Sequence, residues 1–127
     1  MAQIRFTRSR IATSINASGG TYTLDYTIGP NKELSIIELF ASTDTSLQKI
    51  EVLYSEDNGS TWINPWDSEG NHILQIWLGA GVPSSGKPEA AWFIGGSNHL
   101  LRIKITNLHP ATASNVYFLV KGWERDV

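Results

Sequence analysis

Apolar and polar residues alternate with a period of two along most of the chain. The alternation is clearest in residues 21–28 (TYTLDYTI) and 99–106 (HLLRIKIT), where every second side chain is apolar. This period places the apolar side chains on one face of a β-strand. We therefore predict strands in these two segments. Similar but less regular patterns predict further strands at residues 3–8, 47–55, 72–79, 91–94 and 115–124.

Residues 33–41 (ELSIIELFA) break the simple alternation, because apolar side chains occur at odd and even positions. Such a run fits either a strand covered on both faces or a short helical segment. Its length and the preceding turn sequence 29–32 (GPNK) favour a central strand.

The whole pattern predicts about eight or nine short strands separated by turns. No window shows a 3.6-residue apolar stripe with a cap at each end, so we predict no helix. Short strands with this spacing are typical of an all-β fold, an antiparallel β-sandwich of jelly-roll or Greek-key type. We expect one domain over residues 1–127, with its longest irregular stretch at residues 80–89.

The amino-acid composition argues against several classes of function. The 127 residues include no cysteine, which excludes disulfides and thiolate chemistry, and the formal net charge is -2. With no positive field we expect no nucleic-acid partner, and no apolar run is long enough to predict a membrane helix. The N-terminus lacks the basic and apolar regions of a signal peptide, so we expect synthesis in the cytoplasm without secretion.

The sequence offers little evidence for catalytic or metal-binding residues. His72, His99 and His109 stand apart in the sequence, and no G-x-S-x-G motif is present. We therefore expect no catalytic residue, no metal site and no cofactor. Residues 67–71 (DSEGN) fit either a plain turn or a set of oxygen ligands for calcium, and they lack the full EF-hand pattern.

One local motif has a clear physical interpretation. Residues 55–62 (SEDNGSTW) place Ser55, Asp57, Gly59, Thr61 and Trp62 in the pattern S-x-D-x-G-x-T-W. The aspartate can accept N–H bonds within a turn, the glycine permits a positive φ, and the tryptophan can pack beneath the hairpin. The motif resembles the Asp-box of sialidases and other β proteins, in which it is usually structural. The resemblance implies a hairpin and no catalytic role.

A second resemblance covers most of the chain. The order of GPNK, ELSIIELFA, the Asp-box-like hairpin and a closing strand that ends in KGWE looks like small β-sandwich virion proteins of tailed bacteriophages. These include head-decoration, head-fibre and tail-associated proteins. The resemblance implies a protein that assembles with itself and with other virion proteins.

Several apolar side chains are expected to lie outside a single sandwich core. They are candidate contacts with another subunit or with a sugar ring: Ile37, Leu39, Trp66, Trp77, Tyr117, Leu119 and Trp123. Near the N-terminus, Arg5, Arg8 and Arg10 fit either an edge strand protected by charge or a basic arm that docks on an acidic neighbour.

These observations favour a non-enzymatic, self-associating structural protein of a virion, either a capsid-decoration or a tail-associated component. The alternative is a carbohydrate-binding module that uses exposed tryptophans, since indole rings form flat platforms for sugars. We therefore expect copies of the chain and other virion proteins as partners, with a glycan as the alternative partner.

Overall fold

The computed structural model describes residues 3–63, 75–81, 83–86, 92–94 and 98–126, with the backbone alone at 3–5, 75, 84–86 and 92–94. These residues contain nine β-strands and no helix. The strands are β1 (Gln3–Ile15), β2 (Gly20–Thr27), β3 (Lys32–Thr43), β4 (Gln48–Ser55), β5 (Gln75–Leu78), β6 (Ser84–Gly86), β7 (Trp92–Ile94), β8 (Leu100–Asn107) and β9 (Ser114–Asp126).

The strands form two antiparallel sheets. The first sheet has the order β1-β9-β3-β6, with β7 also paired to β3, and the second has the order β2-β8-β4-β5. The chain changes sheet at most of its connections, so strands that are neighbours in a sheet come from distant parts of the sequence. This strand order is that of a jelly roll and confirms the predicted all-β sandwich.

The core lies between the two sheets. Alternate residues of β8 and β9 are buried, as the period of two predicts: Leu101, Ile103 and Ile105 in one sheet, Val116, Phe118 and Val120 in the other. Phe118 also lies near the half-buried Tyr22 of β2, with ring centroids 6.2 Å apart.

A β-bulge in β3 explains why residues 33–41 look apolar on both faces. Ile36 pairs with Gly122 of β9 and Glu38 pairs with Lys121, so Ile37 is an extra residue in the ladder. The extra residue reverses the alternation, and the buried positions change from 34 and 36 to 39 and 41. The prediction that Leu39 needs cover outside the core is therefore wrong, because Leu39 is fully buried within it.

Gly122 opposite the bulge is needed for the close approach of β3 and β9. A Cβ atom at this position would lie 1.9 Å from the Ser35 carbonyl oxygen. Any side chain there would force the two strands apart at the bulge.

Other boundaries also differ from those predicted. β1 continues to Ile15, well beyond the predicted end at residue 8, because its pairing with β9 extends through Ala12 and, after an irregularity, resumes at Ile15. The stretch 80–89, predicted to be irregular, contains the short strand β6, which pairs with β3. Residues 72–74 of the predicted strand 72–79 lie outside the described residues.

A buried cluster of amide side chains joins the ends of four strands. Gln48 and Asn107 are fully buried, and the Gln48 Nε2 group donates to Asn107 Oδ1 at 2.6 Å. The Asn107 Nδ2 group donates to the carbonyls of Ile15 and Thr112, each at 2.9 Å. The Ser114 hydroxyl donates to Gln48 Oε1 at 2.7 Å. Both amides therefore have their hydrogen bonds satisfied without water, as burial demands.

Candidate interaction surface

The outer face of the first sheet carries a group of apolar side chains. Ile11 of β1 pairs with Tyr117 of β9, and Leu119 pairs with Phe40 of β3. The Tyr117 and Phe40 rings also meet edge to face, with centroids 6.3 Å apart. Ile11 is 68% exposed and Tyr117 is 37% exposed. We call these four side chains the apolar face.

A shallow cavity lies beside the apolar face, where the β3 bulge meets β9. It has a volume of about 240 Å³ and is lined by Thr7, Ile37, Lys121, Gly122 and Trp123. The bulge turns Ile37 outward, where it is 37% exposed. The face and the cavity together bring four predicted contact residues to one side of the sandwich: Ile37, Tyr117, Leu119 and Trp123.

The same side of the first sheet carries two cross-strand pairs of opposite charge, Glu33 with Arg125 and Glu38 with Lys121. Lys121 Nζ lies 3.7 Å from Glu38 Oε1, and the two residues are cross-strand partners. The Lys121–Glu38 pair is neutral overall. Both side chains keep part of their surface in contact with solvent.

The outer face of the second sheet is mostly polar by contrast, although it also carries the exposed Trp77 of β5, paired with Lys49. Arg102 of β8 donates two hydrogen bonds to Asp25 of β2, at 2.8 and 2.9 Å, and Lys49 lies 3.7 Å from Glu51. Exposed threonines occupy the remaining outward positions of β2. This face therefore has the character of an ordinary solvated surface.

The Ser55–Trp62 turn has the hydrogen bonds that the sequence predicts for Asp57. The Thr61 N–H donates to Asp57 Oδ1 at 2.8 Å, and the Ser55 hydroxyl donates to the same oxygen at 2.8 Å. The Gly59 N–H donates to Ser55 Oγ at 2.8 Å, with Gly59 at a φ of 91°. The bond from Thr61, followed by that from Ser55, lowers the pKa of Asp57.

Two backbone hydrogen bonds close this turn into a hairpin. They join Tyr54 and Ile63 in both directions, at 3.0 and 2.8 Å. Trp62 is half-buried, and the Arg102 guanidinium carbon lies 3.9 Å from the centroid of its ring. This stacked cation covers the Trp62 ring, so the indole is a packing element of the hairpin.

The remaining tryptophans do not gather at one place within the described residues. Trp77 is 55% exposed on β5, at the edge of the second sheet, and the Lys49 ammonium lies 5.9 Å from its ring centroid. Trp66 lies outside the described residues. Trp77 and Trp123 belong to different sheets, so they do not form one shared platform.

Arg8 and Arg10 lie on the edge strand β1, and both occupy the side of β1 that faces the second sheet. This follows from alternation, because Phe6 and Ala12, which have the same parity, are buried in the core. Inward-facing charge on an edge strand discourages edge-to-edge pairing. The third predicted member, Arg5, pairs with Trp123 in the β1–β9 ladder, and its side chain is not described.

Among the described residues, no group of three or more histidine, aspartate or glutamate side chains is placed to hold a metal ion. Within that same part of the chain there is also no helix long and apolar enough to span a membrane.

Two members of the apolar face were missed by sequence reasoning. Ile11 was missed because β1 was predicted to end at residue 8, although Thr7, Ser9 and Ile11 continue one outward row. Phe40 was missed because the bulge that turns it outward has no signature in a run that contains two adjacent isoleucines.

Comparisons with known proteins place the chain in no family. No family model matches it, and no curated protein does. A structure of infectious bursal disease virus, Gx strain, matches at 13% identity and a TM-score of 0.42, over 97% of this chain and 31% of that chain. The chain therefore spans about a third of that viral chain.

Two bacterial structures give similar scores. The Yersinia pseudotuberculosis-derived mitogen matches at 15% identity and a TM-score of 0.33, over 82% of this chain and 86% of that chain. The N-terminal cellulose-binding domain of Cellulomonas fimi beta-1,4-glucanase C matches at 13% identity and a TM-score of 0.38, over 94% and 77%. The scores are low throughout, so these likenesses carry no functional argument. The strand order alone defines the class, a jelly-roll β-sandwich.

Proposed function

We propose that this protein is a non-enzymatic structural protein that self-associates through the outer face of its first sheet and serves as a virion component. The observation that carries the proposal is the apolar face of Ile11, Phe40, Tyr117 and Leu119. Contiguous exposed apolar side chains of this kind mark interaction surfaces on small proteins. The outer face of the second sheet carries the exposed Trp77 among charged and polar side chains, and it offers no equivalent group of apolar side chains.

A second copy of the chain is the occupant that fits this face. An interface around a twofold axis uses the same patch on both subunits, so the patch must complement itself. The apolar face meets this condition, because apolar surface pairs with apolar surface. Lys121 and Glu38 also meet this condition. In a copy rotated about the twofold axis, Lys121 of one subunit can approach Glu38 of the other.

A virion is the assembly that we propose for these copies. Jelly-roll sandwiches are used as capsid and lectin domains, because two packed sheets expose flat outer faces and loops for lattice contacts. The sequence resemblance to small virion proteins of tailed bacteriophages supports the same reading. Capsid decoration and attachment to a tail are the two specific roles that the proposal covers.

Self-association is tested by sedimentation velocity over a concentration series. Ile11→Lys places a charge on the apolar face, next to Tyr117, and the 68% exposure of Ile11 makes the free monomer tolerant of the change. We expect the variant to weaken association at least about thirtyfold, the size of a single hot-spot loss. Thr23→Lys is the matched control, since Thr23 is exposed on the edge strand of the second sheet and should leave association unchanged.

The virion role is tested separately by purifying particles from the native source and detecting the protein in them by mass spectrometry. The proposal expects the chain to remain with the particles after washing. A wild-type chain that stays monomeric at every concentration and is absent from particles would contradict both parts of the proposal.

The exposed Trp77 favours one alternative, a carbohydrate-binding module. Its ring lies beside Lys49, and it occupies an edge strand that a glycan chain can reach. This alternative predicts saturable quenching of indole fluorescence by an oligosaccharide, lost in Trp77→Ala with the fold intact. If no glycan in a broad panel binds at millimolar concentration, the alternative is excluded.

A further inference from the structure

A second surface of the molecule, distinct from the apolar face, lies at the open side of the sandwich. β1 and β2 are the edge strands of their sheets, and they face each other there through Phe6 and Tyr26, whose ring centroids are 5.0 Å apart. Beside these rings is a cleft of about 100 Å³. Arg8, Arg10, Asp25 and Tyr26 line it together with three aliphatic side chains of β2 and β8.

The two arginines in this cleft differ from most basic side chains that the structure describes. Five described lysines and arginines pair with a carboxylate within 4 Å, Arg102 and Lys121 among them. In the described part of the chain, neither Arg8 nor Arg10 has such a partner. Each donates from its Nη1 group to the carbonyl of the preceding residue, at 2.9 and 3.0 Å. A guanidinium has five N–H donors, so each retains free donors.

The acidic side chains nearest the cleft already have other partners. Asp25 accepts two hydrogen bonds from Arg102, and Glu124 accepts a 2.5 Å bond from the Tyr26 hydroxyl. Arg8 is also held in place, because its guanidinium carbon lies 4.6 Å from the centroids of both the Phe6 and Tyr26 rings. The cation is thus oriented before any ligand arrives.

From this geometry we infer that the cleft binds carboxylate groups of an extended acidic segment of another protein. Arg8 and Arg10 are two residues apart on one face of a strand, which separates them by about 6.6 Å along it. Side chains at alternate positions of an extended peptide have the same spacing. Acidic residues at every second position therefore match the two arginines, and guanidinium groups bind carboxylates with two parallel hydrogen bonds.

The proposal goes beyond self-association, because it concerns a different surface and a partner of different chemistry. It is tested by fluorescence anisotropy with a labelled peptide of alternating glutamate and threonine. The comparison peptides replace glutamate by glutamine, or place the same number of glutamates consecutively. We expect saturable binding of the alternating acidic peptide and weaker binding of both comparison peptides.

Arg10→Gln is the principal variant, because Arg10 is exposed and its loss should not disturb the core. A charged hydrogen-bond pair is worth enough to change affinity at least about tenfold. Lys104→Gln is the matched control: it removes the same charge from the outer face of the second sheet, and Lys104 also lacks an ion pair within the described residues. We expect binding within about twofold of wild type for that control.

Arg10→Lys adds a test of geometry, since lysine keeps the charge and loses the planar donor pair. We expect it to bind the acidic peptide several-fold more weakly than wild type. Three results would overturn the proposal: no saturable binding by the wild type, equal losses in Arg10→Gln and Lys104→Gln, or equal binding of the glutamine peptide.

Discussion

Replacement of Asn107 by alanine should reveal how strongly the buried amide cluster holds the two sheets together. The Asn107 side chain is fully buried and makes four hydrogen bonds. Its Nδ2 group donates to the carbonyls of Ile15 and Thr112, and its Oδ1 atom accepts from Gln48 Nε2 and from the His109 N–H. The substitution removes all four bonds at once. Asn107 belongs to neither of the proposed interaction surfaces.

The expected cost follows from what each partner can do afterwards. Gln48 keeps a second bond to a loop carbonyl at 3.0 Å, and Thr112 is exposed, so its carbonyl can bind water. The Ile15 carbonyl and the His109 N–H lose their side-chain partner. At about 1–3 kcal/mol for each buried group left without a partner, the total cost is about 2–6 kcal/mol. That is a large part of the about 5–15 kcal/mol that stabilises a typical domain.

Urea denaturation, monitored by tryptophan fluorescence, measures this cost directly. Asn16→Ala is the matched control, because Asn16 is exposed and no hydrogen bond of its side chain is seen among the described residues. We expect the control to change the free energy of unfolding by less than about 0.5 kcal/mol. An Asn107→Ala variant as stable as the Asn16→Ala control would show that the cluster does not join the sheets as described.

Four further predictions concern the bulge, the hairpin (two variants) and the sandwich edge. Gly122→Ala should prevent stable folding, because its Cβ would lie 1.9 Å from a β3 carbonyl oxygen, whereas Gly79→Ala meets nothing within 4 Å and should fold; two equally soluble, cooperatively melting variants would refute this. Gly59→Val should cost roughly 1–3 kcal/mol in urea denaturation, because valine is strained at positive φ. Asp57→Asn should reduce the loss of stability on acidification. Because folding lowers the pKa of Asp57, its carboxylate stabilises the fold above its pKa in the unfolded chain, and this stability is lost as pH falls through its pKa in the folded protein. An unchanged dependence of stability on pH would contradict this prediction. Burial raises the pKa of Tyr26 to about 12, with a smaller effect from the hydrogen bond to the Glu124 carboxylate. The stability that Tyr26 contributes is therefore complete below pH about 10 and is lost as pH rises towards 12. Tyr26→Phe should remove that decline, and a variant whose free energy of unfolding falls as steeply as that of the wild type over the same pH range would disprove it.

The period of two was sufficient to predict the fold class and most strands. It works here because each sheet has one buried face, so alternation in the sequence maps directly onto inside and outside. β8 shows this, with Leu101, Ile103 and Ile105 buried as predicted. The same rule failed in β3, because one extra residue at Ile37 reverses the alternation and moves Leu39 into the core.

The candidate surfaces are formed by strands that are far apart in the sequence, and local sequence patterns do not show which strands pair. Tyr117 and Ile11 are far apart in sequence and meet only because β1 and β9 are neighbours in a jelly roll. The arginine cleft arises in the same way, since Arg8 contacts the Tyr26 ring of a strand in the other sheet. The sequence predicted both basic and apolar candidates, and the topology decided which of them lie together.

Packing of copies of this chain through the outer face of the first sheet, as we propose, can be measured by the accessibility of a single thiol. The chain has no cysteine, so Ser9→Cys introduces the only thiol, on the exposed outer side of β1 opposite Leu119. Thr23→Cys places a matched thiol on the outer face of the second sheet. If copies pack through this face, the rate of maleimide modification falls with rising protein concentration for Ser9→Cys and stays constant for Thr23→Cys. A constant rate for Ser9→Cys, whether the sedimenting mass rises or remains that of a monomer, would contradict the claim.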